Sequence, residues 1–126
     1  MPVYNELNTV LIVLDKLVKL NLYDNFNKEI IIIDDNSTDG TKDLLLNFEK
    51  KNQNNNIKFI YKNKNSGKGD SQKLAIPLCS GDFTIIQDAD LEYDINNINS
   101  LLELISKNNY DAVLGYRKLN KTKIYS

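Results

Sequence analysis

The sequence predicts an α/β fold built around a mainly parallel sheet. Two patterns alternate along its 126 residues: continuous apolar runs typical of strands buried on both faces, and apolar residues three and four apart, typical of helices. The connections between these segments are short, and no internal repeat or linker interrupts them. We therefore expect one compact domain over residues 1–126, with helices covering the sheet.

Strands are predicted at residues 1–3, 29–33, 57–61, 83–86 and 112–115. The run at 29–33 is β-branched and ends at Asp34-Asp35, as expected of a central parallel strand. Only three residues precede the first loop, although a domain of this kind should begin with a full buried strand. We therefore expect the first strand to be cut short at the N-terminus.

Four segments of the chain show helical spacing, and the third of them covers about residues 71–79. Ser37 or Asp39 is a plausible N-cap for the second helix, and Gly81 suits a left-handed stop after the third. Pro77 lies within the third segment, where it would cost about 3 kcal/mol unless the helix is kinked or short. The apolar stripes of the other three are Leu7, Val10, Leu11, Leu14, Leu17 and Val18; Thr41, Leu44, Leu45 and Phe48; and Ile95, Ile98, Leu101, Leu102 and Ile105.

Composition excludes several functional classes. The formal net charge is −1, from 16 basic and 17 acidic residues, so no overall field favours nucleic acid. The absence of histidine removes His-dependent nucleophilic catalysis and His-ligated zinc, and Cys79 is the only cysteine. Without a membrane-spanning run or a signal peptide, we expect a cytoplasmic protein; peripheral association with the cytoplasmic face of a membrane stays open.

Polar clusters follow three of the predicted strands, at residues 2–6, 34–37 and 88–90. Ligands of open parallel sheets bind beyond the carboxyl ends of strands, so these clusters mark the candidate site. Asp88, Asp90 and Glu92 alternate in sequence, and in an extended chain their carboxylates would share a face and could hold Mg²⁺ or Mn²⁺. A short D-x-D pattern is also common by accident, and the alternative is solvated or helix-capping acids.

Two further features have both a binding and a structural interpretation. Asp34 and Asp35 end a buried strand, where a carboxylate needs a partner; a nucleobase or ribose could supply one, but acids before a helix are also ordinary caps. Gly67-Lys68-Gly69 resembles a phosphate-binding turn only weakly, since it lacks the spacing of a P-loop or a dinucleotide fingerprint. A flexible turn before a helix explains it about as well.

In combination, five segments resemble the family 2 glycosyltransferases of the GT-A fold. The closest similarity is to polyprenyl-phosphate sugar transferases such as the dolichyl-phosphate mannose synthases. The segments keep the family's order and spacing over nearly the whole chain: PVYNE at 2–6, EIIIIDDNSTDGT at 29–41, NSGKG at 65–69, SGDFTIIQDADLEYD at 80–94, and DAVLGYR at 111–117. The resemblance implies a GT-A (Rossmann-like) three-layer sandwich, of which this chain is the N-terminal, nucleotide-sugar-binding part, truncated at the C-terminus.

The resemblance also implies a role for each matching residue. The metal would lie on Asp88 and Asp90, with Glu92 able to complete its site. Arg117 would contact the diphosphate or an acceptor phosphate, as its bidentate guanidinium allows. Asp90 and Arg117 are thus the expected catalytic residues. The expected nucleotide-sugar contacts are Pro2, Tyr4, Glu6, Ile33, Asp35, Asp88, Ala89, Asp90 and Arg117, with Asp34 nearby.

The implied activity is inverting transfer of a mannose- or glucose-type sugar from GDP-mannose or a UDP-sugar. The acceptor would be a polyprenyl or dolichyl phosphate, or else a glycan. Asp70 departs from the family pattern by adding negative charge near the expected phosphate site. With the acceptor-binding half absent, a non-catalytic nucleotide-sugar-binding protein is the alternative. A nucleotidyltransferase on a related fold is a third hypothesis, which the pairing of PVYNE with DADLEYD disfavours.

Overall fold

A computed structural model describes residues 1–115 of the chain, and these form an α/β unit. Its strands are β1 (Pro2–Val3), β2 (Ile30–Asp34) and β3 (Ile57–Tyr61). Its helices are α1 (Val10–Lys19), α2 (Thr41–Lys51), α3 (Lys68–Ala75) and α4 (Asn97–Lys107). Short 3₁₀ turns occur at Tyr23–Asn25 and Ile76–Leu78. The predicted fold class is confirmed: strands and helices alternate around a parallel sheet.

The sheet has the order β1-β2-β3, and both neighbouring pairs are parallel. All five residues of β2 are buried, which explains its unbroken β-branched sequence, because apolar side chains are needed on both faces. β1 contributes two residues, aligned with Ile33 and Asp34 of β2. The carboxyl ends of β1 and β2 therefore lie side by side.

The hydrophobic core lies between the sheet and the first two helices. Leu14 of α1 and Leu45 of α2 are fully buried, as their positions in the apolar stripes predict. The core also includes Ala89 and Ile95, from the segment that precedes α4. Packing of Ala89 in the core fixes the backbone between Asp88 and Asp90 next to the sheet.

Two predicted strands are not formed. Residues 83–86 and 112–115 carry no strand in the structure, and Phe83, Ile85 and Ile86 are 41%, 45% and 55% exposed. A strand needs a partner with free backbone groups, and the two-residue β1 offers little ladder to pair with. The prediction of buried strands at these two segments is therefore wrong, because strand pairing depends on tertiary contacts that the apolar pattern does not contain.

The ends of two helices also differ from prediction. α3 begins at Lys68 and stops at Ala75, and Pro77 lies in the 3₁₀ turn that follows, so it interrupts no α-helical hydrogen bond. Gly81 was expected to be left-handed, but the glycines with positive φ in residues 1–115 are Gly40 and Gly67. Gly40 also takes the N-cap position of α2 that Ser37 or Asp39 was expected to fill.

No helix within residues 1–115 is both long enough and apolar enough to cross a membrane.

Candidate functional site

A cavity of about 190 Å³ lies where the carboxyl ends of β1 and β2 meet. Its walls come from the loop after β1, the end of β2, the start of α3 and the segment at 88–90, as the ligand rule for parallel sheets predicts. The volume is below the range of about 300–1,000 Å³ typical of small-molecule sites, so a larger ligand would extend beyond it. The lining residues are Pro2, Val3, Tyr4, Glu6, Asp35, Lys68, Ser71, Asp88, Ala89 and Asp90.

The loop after β1 is held in place by the turn after β2. Asn5 has a left-handed backbone (φ 54°), which asparagine tolerates better than most residues. Its N–H donates to Ser37 Oγ (3.0 Å), and its side-chain oxygen accepts the N–H of Thr38 (2.8 Å). Glu6 accepts a 2.7 Å hydrogen bond from the hydroxyl of Thr9. These contacts set the positions from which Tyr4 and Glu6 line the cavity.

Asp35 anchors the loop that leads into α3. One carboxylate oxygen accepts the N–H of Ser66 (3.0 Å) and lies 2.6 Å from Lys62 Nζ; the other accepts the N–H of Gly67 (2.7 Å). Burial raises the pKa of this carboxyl, but the hydrogen bonds from Lys62, Ser66 and Gly67 outweigh it and hold the pKa below its usual value. Asp35 lines the cavity as expected, with both oxygens already engaged by the protein.

Asp34 is fully buried, and its two oxygens differ. One accepts the N–H of Ser37 (3.2 Å), whereas Oδ1 has no hydrogen-bond partner among the described residues. An unpaired buried acceptor costs free energy, as the position of this acid at the end of a buried strand led us to expect. Ile33 is 1% exposed and does not line the cavity, so the structure does not place its side chain where a base or ribose contact was expected.

Asp88 and Asp90 flank the buried Ala89 and line the same cavity. Lys68, at the first position of α3, places its Nζ 2.6 Å from Asp88 Oδ1 and 2.7 Å from Oδ2. This ion pair joins two segments that were identified separately in the sequence, NSGKG and DADLEYD. Asp88, the first acid of the D-x-D pattern, is therefore paired with the ammonium group of Lys68.

Glu92 is not brought into the cavity with the other two acids. Its N–H donates to Asp90 Oδ1 (3.1 Å), a local side-chain turn that bends the chain away from the extended form assumed for alternating residues. Within residues 1–115, no three acidic, histidine or cysteine side chains form a metal-binding group. Two cavity carboxylates nevertheless suit Mg²⁺, which proteins hold through one or two carboxylates together with substrate phosphates and water.

The structure therefore assembles most of the expected contact residues. Pro2, Tyr4 and Glu6 meet Asp35 and the 88–90 segment around one cavity. Arg117 lies outside the described residues.

Lys68 and Ser71 line the cavity but were not among the predicted contact residues, although the glycines on either side of Lys68 had marked that turn as a weak candidate for phosphate binding. Lys62, which supports the site from outside the cavity, gave no signal, because a single lysine in a polar loop is ordinary. Asp70, which was expected to add negative charge near the phosphate site, is paired with Lys62 (2.7 Å).

Fold and site together define an α/β domain with a ligand cavity at the carboxyl end of its parallel sheet. The family model "Glycosyl transferase family 2" matches residues 1–125, and the chain belongs to this family. The predicted membership is thus confirmed over almost the entire sequence.

Curated relatives agree with that assignment. Dolichyl-phosphate beta-glucosyltransferase of Dictyostelium discoideum is 35% identical over 124 residues, which cover 92% of this chain and 38% of that protein. Poly-beta-1,6-N-acetyl-D-glucosamine synthase of Staphylococcus epidermidis is 32% identical over 123 residues, covering 96% of this chain and 28% of that protein. An uncharacterized protein of Methanocaldococcus jannaschii is 32% identical over 121 residues, covering 93% of this chain and 50% of that protein. No solved structure matches the chain. The chain thus spans half or less of the length of these relatives.

Proposed function

We propose that this chain is the donor-binding part of an inverting glycosyltransferase. It would bind a nucleotide sugar of the GDP-mannose or UDP-glucose type and transfer the sugar to an acceptor. The acceptor class that fits best is a polyprenyl phosphate, because one relative of this chain is named for dolichyl phosphate. A glycan acceptor is the alternative, supported by the similarity to a polysaccharide synthase.

The observation that carries the proposal is the convergence of separate family motifs on one cavity. Glu6, Lys68 and the pair Asp88 and Asp90 come from three segments more than 15 residues apart, yet they line the same space. Carboxylates beside an ammonium suit a ligand that combines a divalent cation with phosphates.

A divalent metal fits this donor set, with Asp88 and Asp90 as its protein ligands. Magnesium or manganese would supply Lewis-acid stabilisation of the departing nucleoside diphosphate. Tyr4 and Glu6 would border the nucleotide, and Asp35 would hold the backbone at residues 66–67 that positions Lys68. For Arg117 we propose a contact with the diphosphate or with the acceptor phosphate, where a guanidinium binds two oxygens at once.

The proposed reaction is a single displacement at the anomeric carbon. The bond from that carbon to the diphosphate oxygen breaks while a bond to the acceptor oxygen forms on the opposite face, so the configuration inverts. A phosphate acceptor is already anionic and needs no general base, which agrees with a chain that has no histidine. A hydroxyl acceptor would require a carboxylate base.

Isothermal titration with GDP-mannose and UDP-glucose, each with and without Mn²⁺, tests the donor site. We expect one donor to bind in a metal-dependent manner. Asp88→Asn and Asp90→Asn should each weaken that binding by about tenfold or more, since a metal-ligating charge is lost. Asp82→Asn changes an exposed acid of the same segment outside the cavity and should bind like the wild type.

Metal-independent binding, or unchanged affinity in both Asn variants, would show that the 88–90 segment is not the donor site. Incubation with a bound donor and a polyprenyl phosphate then separates the two functional classes. Transfer of the sugar supports the enzyme, whereas donor binding without transfer or hydrolysis supports a nucleotide-sugar-binding protein.

A further inference from the structure

The ion pair between Lys68 and Asp88 lies at the edge of the candidate site. Both oxygens of Asp88 are within 2.7 Å of the Lys68 ammonium, so one protein cation engages the whole carboxylate. The Lys68 side chain is 55% exposed and that of Asp88 24%. Because the ammonium is near solvent, it can leave the carboxylate without moving into an apolar environment.

The backbone that carries Lys68 is held firmly. The N–H groups of Ser66 and Gly67 both donate to Asp35, whose carboxylate is also paired with the largely buried Lys62. α3 therefore begins at a fixed point beside the end of β2. The long, flexible lysine side chain can still move its ammonium by several bond lengths while that backbone stays in place.

Because the Lys68 ammonium contacts both oxygens of Asp88, a metal ion bound by this carboxylate would have to take at least one oxygen from it. A divalent cation arriving alone must displace the ammonium and then lie beside it, which is an unfavourable contact between like charges. A nucleoside diphosphate changes this balance. Its phosphate oxygens complete the metal coordination and also give the displaced ammonium a new partner.

We propose that Lys68 is a positioning residue that acts as a resident counter-cation of Asp88. It keeps the carboxylate neutralised in the ligand-free protein and disfavours binding of a free metal ion. When a metal–diphosphate complex enters, the Lys68 ammonium moves from Asp88 to the phosphates. The site is thereby selective for metal and nucleotide together. This inference rests on the function proposed above.

Lys68→Gln provides the test, with Mn²⁺ binding measured by electron paramagnetic resonance on the 126-residue chain. Without nucleotide, we expect the variant to bind Mn²⁺ roughly three- to tenfold more tightly than the wild type, since the competing ion pair is gone. With UDP or GDP present, whichever the wild type binds more tightly, the variant should bind the Mn²⁺–nucleotide complex more weakly. A merely structural role for Lys68 would not shift the two affinities in opposite directions.

Two further variants sharpen the comparison. Lys68→Arg keeps the cation and should retain weak binding of Mn²⁺ alone. Lys73→Gln removes an exposed lysine from the same helix outside the cavity and should match the wild type in both measurements. Urea unfolding of each variant establishes that the fold is retained.

The outcomes separate this inference from the proposed function. If the wild type binds the Mn²⁺–nucleotide complex but Lys68→Gln binds free Mn²⁺ no more tightly, the counter-cation role is wrong and the donor site stands. If the wild type binds no nucleotide even with Mn²⁺, the proposed function is wrong. Tighter binding of free Mn²⁺ by Lys68→Gln would in that case still support competition for Asp88.

Discussion

Lys62 supports the loop that leads into α3, next to the candidate site. Its side chain is 10% exposed and lies 2.6 Å from Asp35 and 2.7 Å from Asp70, with Ser66 as a further partner. Burial alone would lower the pKa of Lys62, but its bonds to Asp35 and Asp70 raise the pKa above the usual value. The sequence offered no sign of this network, because its members lie up to 35 positions apart and meet only after β2 and β3 pair.

Asp35→Asn should lower the free energy of unfolding by roughly 2–4 kcal/mol at pH 7, because one partner of a buried ion pair is removed. The pKa of Asp35 is depressed in the folded state, so its contribution is present above the unfolded value of about 3.9 and is lost as the pH falls through the folded value. As the pH falls below about 5, the wild type should therefore lose more stability than the variant. Urea denaturation at a series of pH values measures both effects.

Asp43→Asn is the matched control, since Asp43 is exposed on α2. It should lose less unfolding free energy than Asp35→Asn, because an exposed acid in the first turn of a helix contributes only about 0.3–1 kcal/mol. An Asp35→Asn variant with wild-type stability and an unchanged pH slope would show that the Asp35–Lys62 pair does not support the fold.

At the scale of elements, the periodicities predicted α1, α2, α4, β2 and β3 well. Each has a strong local signal: a helical apolar stripe, or a β-branched run. The start of α3 was less predictable, since it depends on Gly67 (φ 91°, ψ 164°), a conformation that only glycine adopts without strain. That backbone turns the chain so that the N–H of Gly67 reaches Asp35 and Lys68 faces Asp88.

Gly67→Ala should therefore destabilise the protein by about 1–3 kcal/mol through backbone strain alone, because no neighbouring atom crowds the position of the added Cβ. Gly69→Ala is a close control: it adds the same methyl group within α3, where space is also open. It should be neutral or stabilising by about 0.5 kcal/mol, since alanine favours a helix. Urea denaturation compares the pair, and equal effects from both substitutions would refute a special role for the Gly67 conformation.

At the scale of the whole molecule, a cavity of about 720 Å³ lies between the sheet and α4 and adjoins the acidic site, with which it shares Pro2 and Ser71 as lining residues. The unpaired residues 83–86 form part of its wall, with apolar side chains of β2 and α4. Ile76 and Ile86 on this wall are 61% and 55% exposed. An apolar surface of this extent binds apolar dyes and favours association.

We expect the folded chain to enhance the fluorescence of 8-anilinonaphthalene-1-sulfonate and to self-associate as its concentration rises. Ile86→Glu places a negative charge on this wall and should reduce both effects, because burying an unpaired charge is costly and a carboxylate repels the anionic dye. Thr84→Glu adds the same charge at an exposed polar position of the same wall and should reduce them less. Dye titration and sedimentation velocity measure the two properties. A wild type that binds no dye and stays monomeric at all concentrations would contradict the expectation.

The acidic residues Asp88, Asp90 and Glu92 show which features the sequence predicts and which depend on tertiary structure. By itself the sequence determined the α/β class, the family and most cavity residues, because periodicity and motif order are local properties of the chain. Only the tertiary structure decided that Glu92 does not line the cavity with Asp88 and Asp90, that residues 83–86 stay unpaired, and that Lys68 neutralises Asp88. The position of Glu92 follows a local turn on Asp90, whereas the other two features depend on which distant segments come into contact. Pairing of strands and charges across 20 or more residues leaves no periodic trace in the sequence.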